Sequence, residues 1–227
     1  MENAKLNAAR AAIRELPEHG TIGLGSGTTA RLFVEELAKL VRAGRRYVGV
    51  PTSQATQALA VSLGIPLLDA VGPWVIDINV DGADEVSEAF DLIKGGGSAH
   101  AREKIVNASA RRNVVIVDLR KMSTRLGEKF CVPIEVLQFG HGATAYHLAQ
   151  FGHPSLRLAG GAPVQTDGGN YIYDLRVGPI DNPQTLDAAL SIIPGVVETG
   201  LFVGRADIIL VGDETGVRRL VNPRSPS

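Results

Sequence analysis

The seven residues Trp74-Val-Ile-Asp-Ile-Asn-Val80 are mostly apolar and rich in β-branched side chains, and Asp81-Gly82 ends them. A strand this apolar needs cover on both faces, so it belongs near the middle of a parallel sheet flanked by helices. The chain around it alternates accordingly. Thr21–Gly25, Arg46–Val50, Ile65–Leu68 and Asn113–Asp118 read as strands. A helix ending near Leu16 precedes them. Ala30–Val41, Gln54–Leu63 and Ala101–Ala110 read as helices between them, with Ser98 as the N-cap of the last. This alternation predicts an α/β fold with a doubly wound, mostly parallel, Rossmann-like sheet.

The pattern changes after Cys131. Val132–Val136, a helix over Gly142–Phe151, Leu156–Leu158, Asn170–Asp174, a helix from Asp181 or Asn182 to Ile193, and Val196–Phe202 follow in the order βαββαβ. That is the ferredoxin-like split unit. The expected organisation is a catalytic Rossmann-like domain over 1–130 plus 206–227 and a smaller ferredoxin-like α+β domain over 131–205. The apolar run Ala206–Val211 returns to the first sheet with Gly216–Val221 near it, and the last residues, Asn222–Ser227, read as a disordered tail.

Composition excludes several classes. The chain has 23 Lys and Arg against 24 Asp and Glu, a net charge of -1, so nothing in its charge argues for nucleic acid or an anionic membrane as a partner. One cysteine, Cys131, rules out an internal disulfide and fits a reducing, cytoplasmic setting. Cys131 reads as a buried structural thiol. The N-terminal stretch lacks the apolar core of a signal peptide, and no apolar run approaches the ~18 residues of a membrane span. His19, His100, His141, His147 and His153 form no metal-ligand motif, so no metal is expected.

Chemistry-bearing residues crowd into Asp81–Lys104. Asp81, Asp84, Lys94, Gly95-Gly96-Gly97 and Glu103 fall between the end of the apolar strand and the next helix. Singly, each has an ordinary structural use as a turn, a cap or a solvated charge. Together, at the carboxyl end of a central strand where α/β sheets bind ligands, they suit proton transfer on a small anionic substrate. Three consecutive glycines imply a backbone that approaches something closely.

A second loop, Gly23-Leu-Gly-Ser-Gly-Thr-Thr29, joins a strand to a helix. Its backbone N–H groups, the helix dipole and the hydroxyls of Ser26, Thr28 and Thr29 suit a phosphate monoester. It is not a Walker A loop, because no Gly-Lys-Ser/Thr follows, and the next strand lacks the acidic residue of a dinucleotide site. A Gly-x-Ser-x-Gly nucleophile elbow is absent.

Asp81-Gly-Ala-Asp-Glu85, Lys94-Gly-Gly-Gly97, Arg102-Glu-Lys104, Gly25-Ser-Gly-Thr-Thr29, Asp118 with Lys121, Val132-Pro-Ile-Glu135, Thr166-Asp-Gly-Gly-Asn170 and Ile193-Pro-Gly-Val-Val197 with Leu201-Phe202 form a set that resembles the type A ribose-5-phosphate isomerases. The resemblance covers nearly the whole chain. It implies cofactor-free interconversion of ribose 5-phosphate and ribulose 5-phosphate through an enediolate, in the non-oxidative pentose phosphate pathway, by a cytoplasmic homodimer or homotetramer. It places Glu103 as the proton-transferring base and Asp81, Asp84 and Lys94 around the reacting carbons. Ser26, Gly27, Thr28, Thr29, Gly82, Ala83, Gly95, Gly96, Gly97 and Lys121 fall at substrate-binding positions. The first loop reads Ser-Gly-Thr-Thr where many members read Thr-Gly-Ser-Thr, which keeps the hydroxyls. A sugar-phosphate sensor of related fold would lack the base or the lysine and carry an effector segment, and this chain keeps both residues and adds no such domain. A related lactonase or acyl-CoA transferase finds no support in the residues.

Overall fold

The computed structural model of the protein describes residues 2–224. The chain forms two compact units. The first takes in residues up to Ala83, Arg102–Lys121 and residues from Arg205 on; the second takes in Asp84–Ala101 and Met122–Gly204.

The first unit is built on a six-stranded sheet in the order Val217–Val221, Ile208–Gly212, Asn113–Asp118, Ile78–Asp81, Gly20–Leu24, Tyr47–Pro51. Every neighbouring pair is parallel except the Ile208–Gly212/Val217–Val221 edge. The chain moves outward from Gly20–Leu24 to Tyr47–Pro51, then crosses back to Ile78–Asp81 on the other side. The boundary between the Gly20–Leu24 and Ile78–Asp81 strands is therefore the topological switch point, beyond whose carboxyl ends ligands bind.

The helix Thr28–Arg42 buries Ala30, Phe33, Val34, Leu37 and Ala38, an i, i+3, i+4, i+7, i+8 stripe. Phe33, Val34, Leu37 and Ala38 of that stripe pack with Ala8 and Ala12 of the helix Glu2–Ile13 against Ile22, Leu24, Ile78, Val80, Val114 and Ile116. Each fully buried Val, Leu, Ile or Phe side chain among them stabilises the fold by about 1.5–3 kcal/mol. Val50, Ile76 and Val106 form a separate cluster, with Val106 supplied by the helix His100–Ala108.

The second unit holds two four-stranded sheets. In one the order is Val196–Thr199, Val132–Val136, Tyr171–Arg176, His153–Leu156, antiparallel throughout. The helices His141–Leu148 and Pro183–Ser191 complete the expected βαββαβ unit. Asn182 caps the second helix by accepting the Thr185 N–H, and Pro183 occupies its first turn. Val132, Ile134, Val136, Leu148, Leu175 and Leu190 share its core. The other sheet joins Leu201–Phe202, Leu92–Ile93, Glu85–Ser87 and Met122–Ser123.

That second sheet is why the second unit is larger than the expected 131–205. The side chain of Glu85, fully buried, accepts the backbone N–H groups of Gly127, Lys129 and Phe130 at 3.0–3.1 Å and ties 127–130 to it. Other expectations change locally. Ile65–Leu68 forms no strand, only an isolated bridge from Leu67 to Gly49. The run from Trp74 is a strand only over Ile78–Asp81, with a single bridge at Ile76. Val196–Phe202 splits between the two sheets. The expected disordered tail starts too early: Asn222 is buried and bonded to Asp207 and Ala206, while 225–227 lie outside the described residues.

Candidate active site

In the first unit, the end of the Ile78–Asp81 strand and the loop after Gly20–Leu24 are locked together. Oδ1 of Asp81 accepts the N–H of Ser26 at 3.0 Å and that of Gly82 at 2.7 Å. Asp81 is 3 % exposed. The two strands run so close here that a Cβ on Gly25 would lie 2.5 Å from the Cα of Asp81, which explains a glycine at that position. Gly82 is under no such restriction, since a Cβ there meets nothing nearer than 3.8 Å.

The hydroxyl of Ser26 turns inward, contacting Thr52, Ser53 and Thr56 oxygens at 2.7–3.3 Å. Gly27, at φ 90°, is the N-cap of the Thr28–Arg42 helix. Thr28 and Thr29 thus lie in the first helical turn, where backbone N–H groups have no acceptor within the helix and the dipole favours an anion. Sequence reasoning missed Lys5. Its ammonium donates to Oγ1 of Thr28 at 2.7 Å and adds a positive charge to this loop. Nothing in an amphipathic N-terminal helix marks that lysine, because the contact spans 23 positions.

Lys121 ends a 3-10 turn, Leu119–Lys121, just past the Asn113–Asp118 strand. The guanidinium of Arg120 grips both carboxylate oxygens of Asp118 at 2.9 Å. This hydrogen bonding holds the Asp118 carboxyl below its ordinary range, against the opposing effect of burial and with help from the charges of Arg120 and Lys121. Glu103 sits in the first turn of the helix His100–Ala108 and is 6 % exposed. The helix begins at His100, so Ser98 is not its cap; Ser98 adopts a left-handed φ of 63°.

In the second unit, Glu85–Ser87 and Leu92–Ile93 pair antiparallel, with Glu85 opposite Ile93. The next pair in that register is Asp84 and Lys94, and the Asp84 N–H donates to the Ile93 carbonyl at 2.8 Å. The Asp84 carboxylate accepts the N–H of Gly96 at 2.6 Å. Lys94 is 5 % exposed and places its ammonium 5.5 Å from the centre of the Phe202 ring, a cation–π contact. A Cβ on Gly95 (φ 112°) would strike His100 at 2.7 Å, and one on Gly96 would strike Asp84 at 2.7 Å. Gly97 opens onto empty space. The structure therefore groups Ser26, Asp81 and Gly82 in one unit and Asp84, Lys94 and Gly96 in the other.

Cys131 is half-buried, not a core thiol, and lines an open concavity of about 450 Å³. Among the described residues, no cluster of three or more His, Cys, Asp or Glu side chains is placed to hold a metal, and no helix is long and apolar enough to cross a membrane.

A family model described as ribose 5-phosphate isomerase A (phosphoriboisomerase A) matches residues 48–216. The chain belongs to the ribose 5-phosphate isomerase A family. The ribose-5-phosphate isomerase A of Gloeobacter violaceus is 45 % identical over 224 residues, covering 98 % of this chain and 97 % of that one. Among solved structures, ribose 5-phosphate isomerase A from Methanocaldococcus jannaschii superposes with a TM-score of 0.92 at 39 % identity, covering 97 % of this chain and 99 % of that one. A D-ribose-5-phosphate isomerase in complex with phospho-erythronic acid gives 0.94 at 39 % identity, covering 97 % and 98 %. The isomerase family's motifs also include residues that hold the fold. Glu135 accepts from Thr166 at 2.7 Å and from Asn170 at 2.9 Å, so Val132-Pro-Ile-Glu135 and Thr166-Asp-Gly-Gly-Asn170 are parts of one turn anchor.

Proposed function

We propose that this chain interconverts D-ribose 5-phosphate and D-ribulose 5-phosphate in the non-oxidative pentose phosphate pathway of the cytoplasm. The observation that carries the reading is the full-length match to ribose-5-phosphate isomerase A relatives, one of them solved with a four-carbon sugar-acid phosphate. In the proposed mechanism, Glu103 removes the proton from C2 of the open-chain aldose and returns it to C1. The electron pair left on carbon forms an enediolate. The ammonium of Lys94 and the amides of Gly95–Gly97 stabilise its oxygen, a role that fixed donors fill well. Asp81 and Asp84 move hydroxyl protons and assist ring opening.

The loop Ser26–Thr29 and Lys5 hold the phosphate, with Lys121 as a further cation for the substrate. The inward turn of the Ser26 hydroxyl gives that residue a scaffolding part, leaving Thr28, Thr29 and the helix N-terminus as the phosphate donors. The domain expected over 131–205 is read as the ferredoxin-like part of the larger second unit. The assembly is a homodimer or homotetramer, and a monomer mass by light scattering would contradict that.

The test is purified protein with ribose 5-phosphate in EDTA, followed by NMR. Ribulose 5-phosphate should appear until equilibrium. No conversion, or conversion that needs an added divalent ion, would overturn the cofactor-free reading.

A further inference from the structure

We infer that Arg157, locked by Asp174, is a positioning residue that sets the peptide planes of the Gly95–Gly97 loop. The inference rests on the reading above, in which that loop faces the reacting carbons.

The Nη1 of Arg157 donates to the Gly95 carbonyl at 2.7 Å, to Oγ of Ser98 at 3.0 Å and to the Gly96 carbonyl at 3.4 Å. The rest of the guanidinium forks onto Asp174, with Nε on Oδ2 at 3.0 Å and Nη2 on Oδ1 at 2.5 Å. Such a two-point fork fixes a planar cation far better than a lysine ammonium could be fixed. The Arg157 side chain is only 15 % exposed.

In a trans peptide the carbonyl and the following N–H point in opposite directions. Holding the Gly95 carbonyl toward Arg157 therefore turns the Gly96 N–H the other way, onto the Asp84 carboxylate at 2.6 Å. The same logic turns the Gly97 N–H away from Arg157. Glycine has more backbone freedom than any other residue, and no neighbour would restrain a side chain at Gly97. Arg157 supplies the restraint that the sequence of three glycines lacks. Donors fixed before the reaction stabilise a developing oxyanion without reorganisation. Arg157 and Asp174 also line the open concavity beside Cys131, so a small cation can reach the site of a truncated side chain.

Steady-state kinetics on Arg157→Ala, Arg157→Lys and Asp174→Asn test the inference. Arg157→Ala should lower kcat by on the order of 10²-fold, the scale of a small misplacement, with KM for ribose 5-phosphate nearly unchanged. Lysine should rescue little, and Asp174→Asn should show a milder loss of the same kind. Millimolar guanidinium should restore part of the Arg157→Ala rate and none of the Glu103→Gln rate. A wild-type kcat in Arg157→Ala, or a loss confined to KM, overturns the inference. Amide exchange of Gly96 and Gly97, read by NMR without ligand, probes the clamp independently of catalysis. It should quicken in Arg157→Ala, and unchanged exchange overturns the clamp even if the variant is slow. Wild-type protein inactive on ribose 5-phosphate would instead overturn the functional reading, while the exchange result would still decide the clamp.

Discussion

The carboxylate of Asp81 accepts the backbone N–H of Ser26 at 3.0 Å, which fastens the Ser26–Thr29 loop to the end of the neighbouring strand. Asp81 thus anchors the loop, and in the proposed mechanism it also moves hydroxyl protons of the substrate, two uses that substitution can separate. Asp81→Asn keeps an acceptor oxygen for the Ser26 and Gly82 N–H groups, so it should lower kcat and leave KM near wild type. Asp81→Ala also loses the anchor. Hydrogen bonds to a charged group contribute about 1.5–3 kcal/mol, so KM should then rise about tenfold or more. Wild-type KM in the alanine variant would remove the anchoring role.

The glycines of Gly95–Gly97 should differ sharply when replaced. Gly96→Ala places a methyl 2.7 Å from the Asp84 carboxylate and should cost about 1–3 kcal/mol of stability. Gly97→Ala meets no atom within 4 Å and should fold within about 0.5 kcal/mol of wild type. Urea unfolding of the two variants gives the comparison; equal losses would contradict the packing described.

The proposal that the Ser26–Thr29 loop holds the phosphate predicts a binding defect without a chemical one. Thr28→Val with Thr29→Val should raise KM for ribose 5-phosphate and weaken inorganic phosphate in parallel, by about tenfold, or ~1.4 kcal/mol. Lys5→Ala should act in the same direction by a smaller factor, and its effect should shrink at high salt because the contact between Lys5 and Thr28 is open to solvent. Unchanged affinity for both ligands in the double variant would move the phosphate elsewhere, with Lys121 the next cation to test.

Much of this was legible in the residues. Asn113–Asp118 and Val132–Val136 are legible residue for residue: β-branched residues dominate both, and every position in both is buried. The strands Glu85–Ser87 and Leu92–Ile93 were not, since three and two residues carry no periodicity of their own. Their existence depends on pairing with Leu201–Phe202 and Met122–Ser123, distant in sequence. Lys5 and Arg157 were invisible for a related reason: an ordinary cation becomes informative only once the fold brings Thr28 or Gly95 to it. The resemblance carried by the motifs supplied roles that periodicity could not.

Acid should weaken the fold through Glu15. Its carboxyl lies below the ordinary range because Arg219 hydrogen-bonds it at 2.6 and 3.1 Å; burial opposes this, and the charges of Arg219 and Arg112 add to the lowering. A group with a depressed folded pKa stabilises the protein above its unfolded value, about 4.3 for Glu, and loses that contribution as pH falls through the folded value. Glu15→Gln should therefore lower Tm by a few degrees at pH 7. The gap between variant and wild type should narrow below about pH 4. A gap that stays constant with pH would mean that ionisation of Glu15 contributes nothing.

The proposed mechanism assigns the carbon base to Glu103. It is a nearly buried carboxylate in the first turn of the helix that follows the glycine loop, where the helix dipole favours an anion. Glu103→Gln preserves shape and hydrogen bonding and removes the basic oxygen. General-base catalysis contributes ~10²–10⁴-fold, so kcat should drop by about that factor. Binding of ribose 5-phosphate should stay within about tenfold, since the loop proposed to hold the phosphate is untouched. In D₂O, wild-type protein should place deuterium on C2 of the aldose or C1 of the ketose unless the base returns its proton faster than it exchanges. The informative comparison is thus between the two proteins under matched conditions. If Glu103→Gln isomerises and exchanges at the wild-type rate, the carbon base is another carboxylate, and Asp81 becomes the residue to replace next.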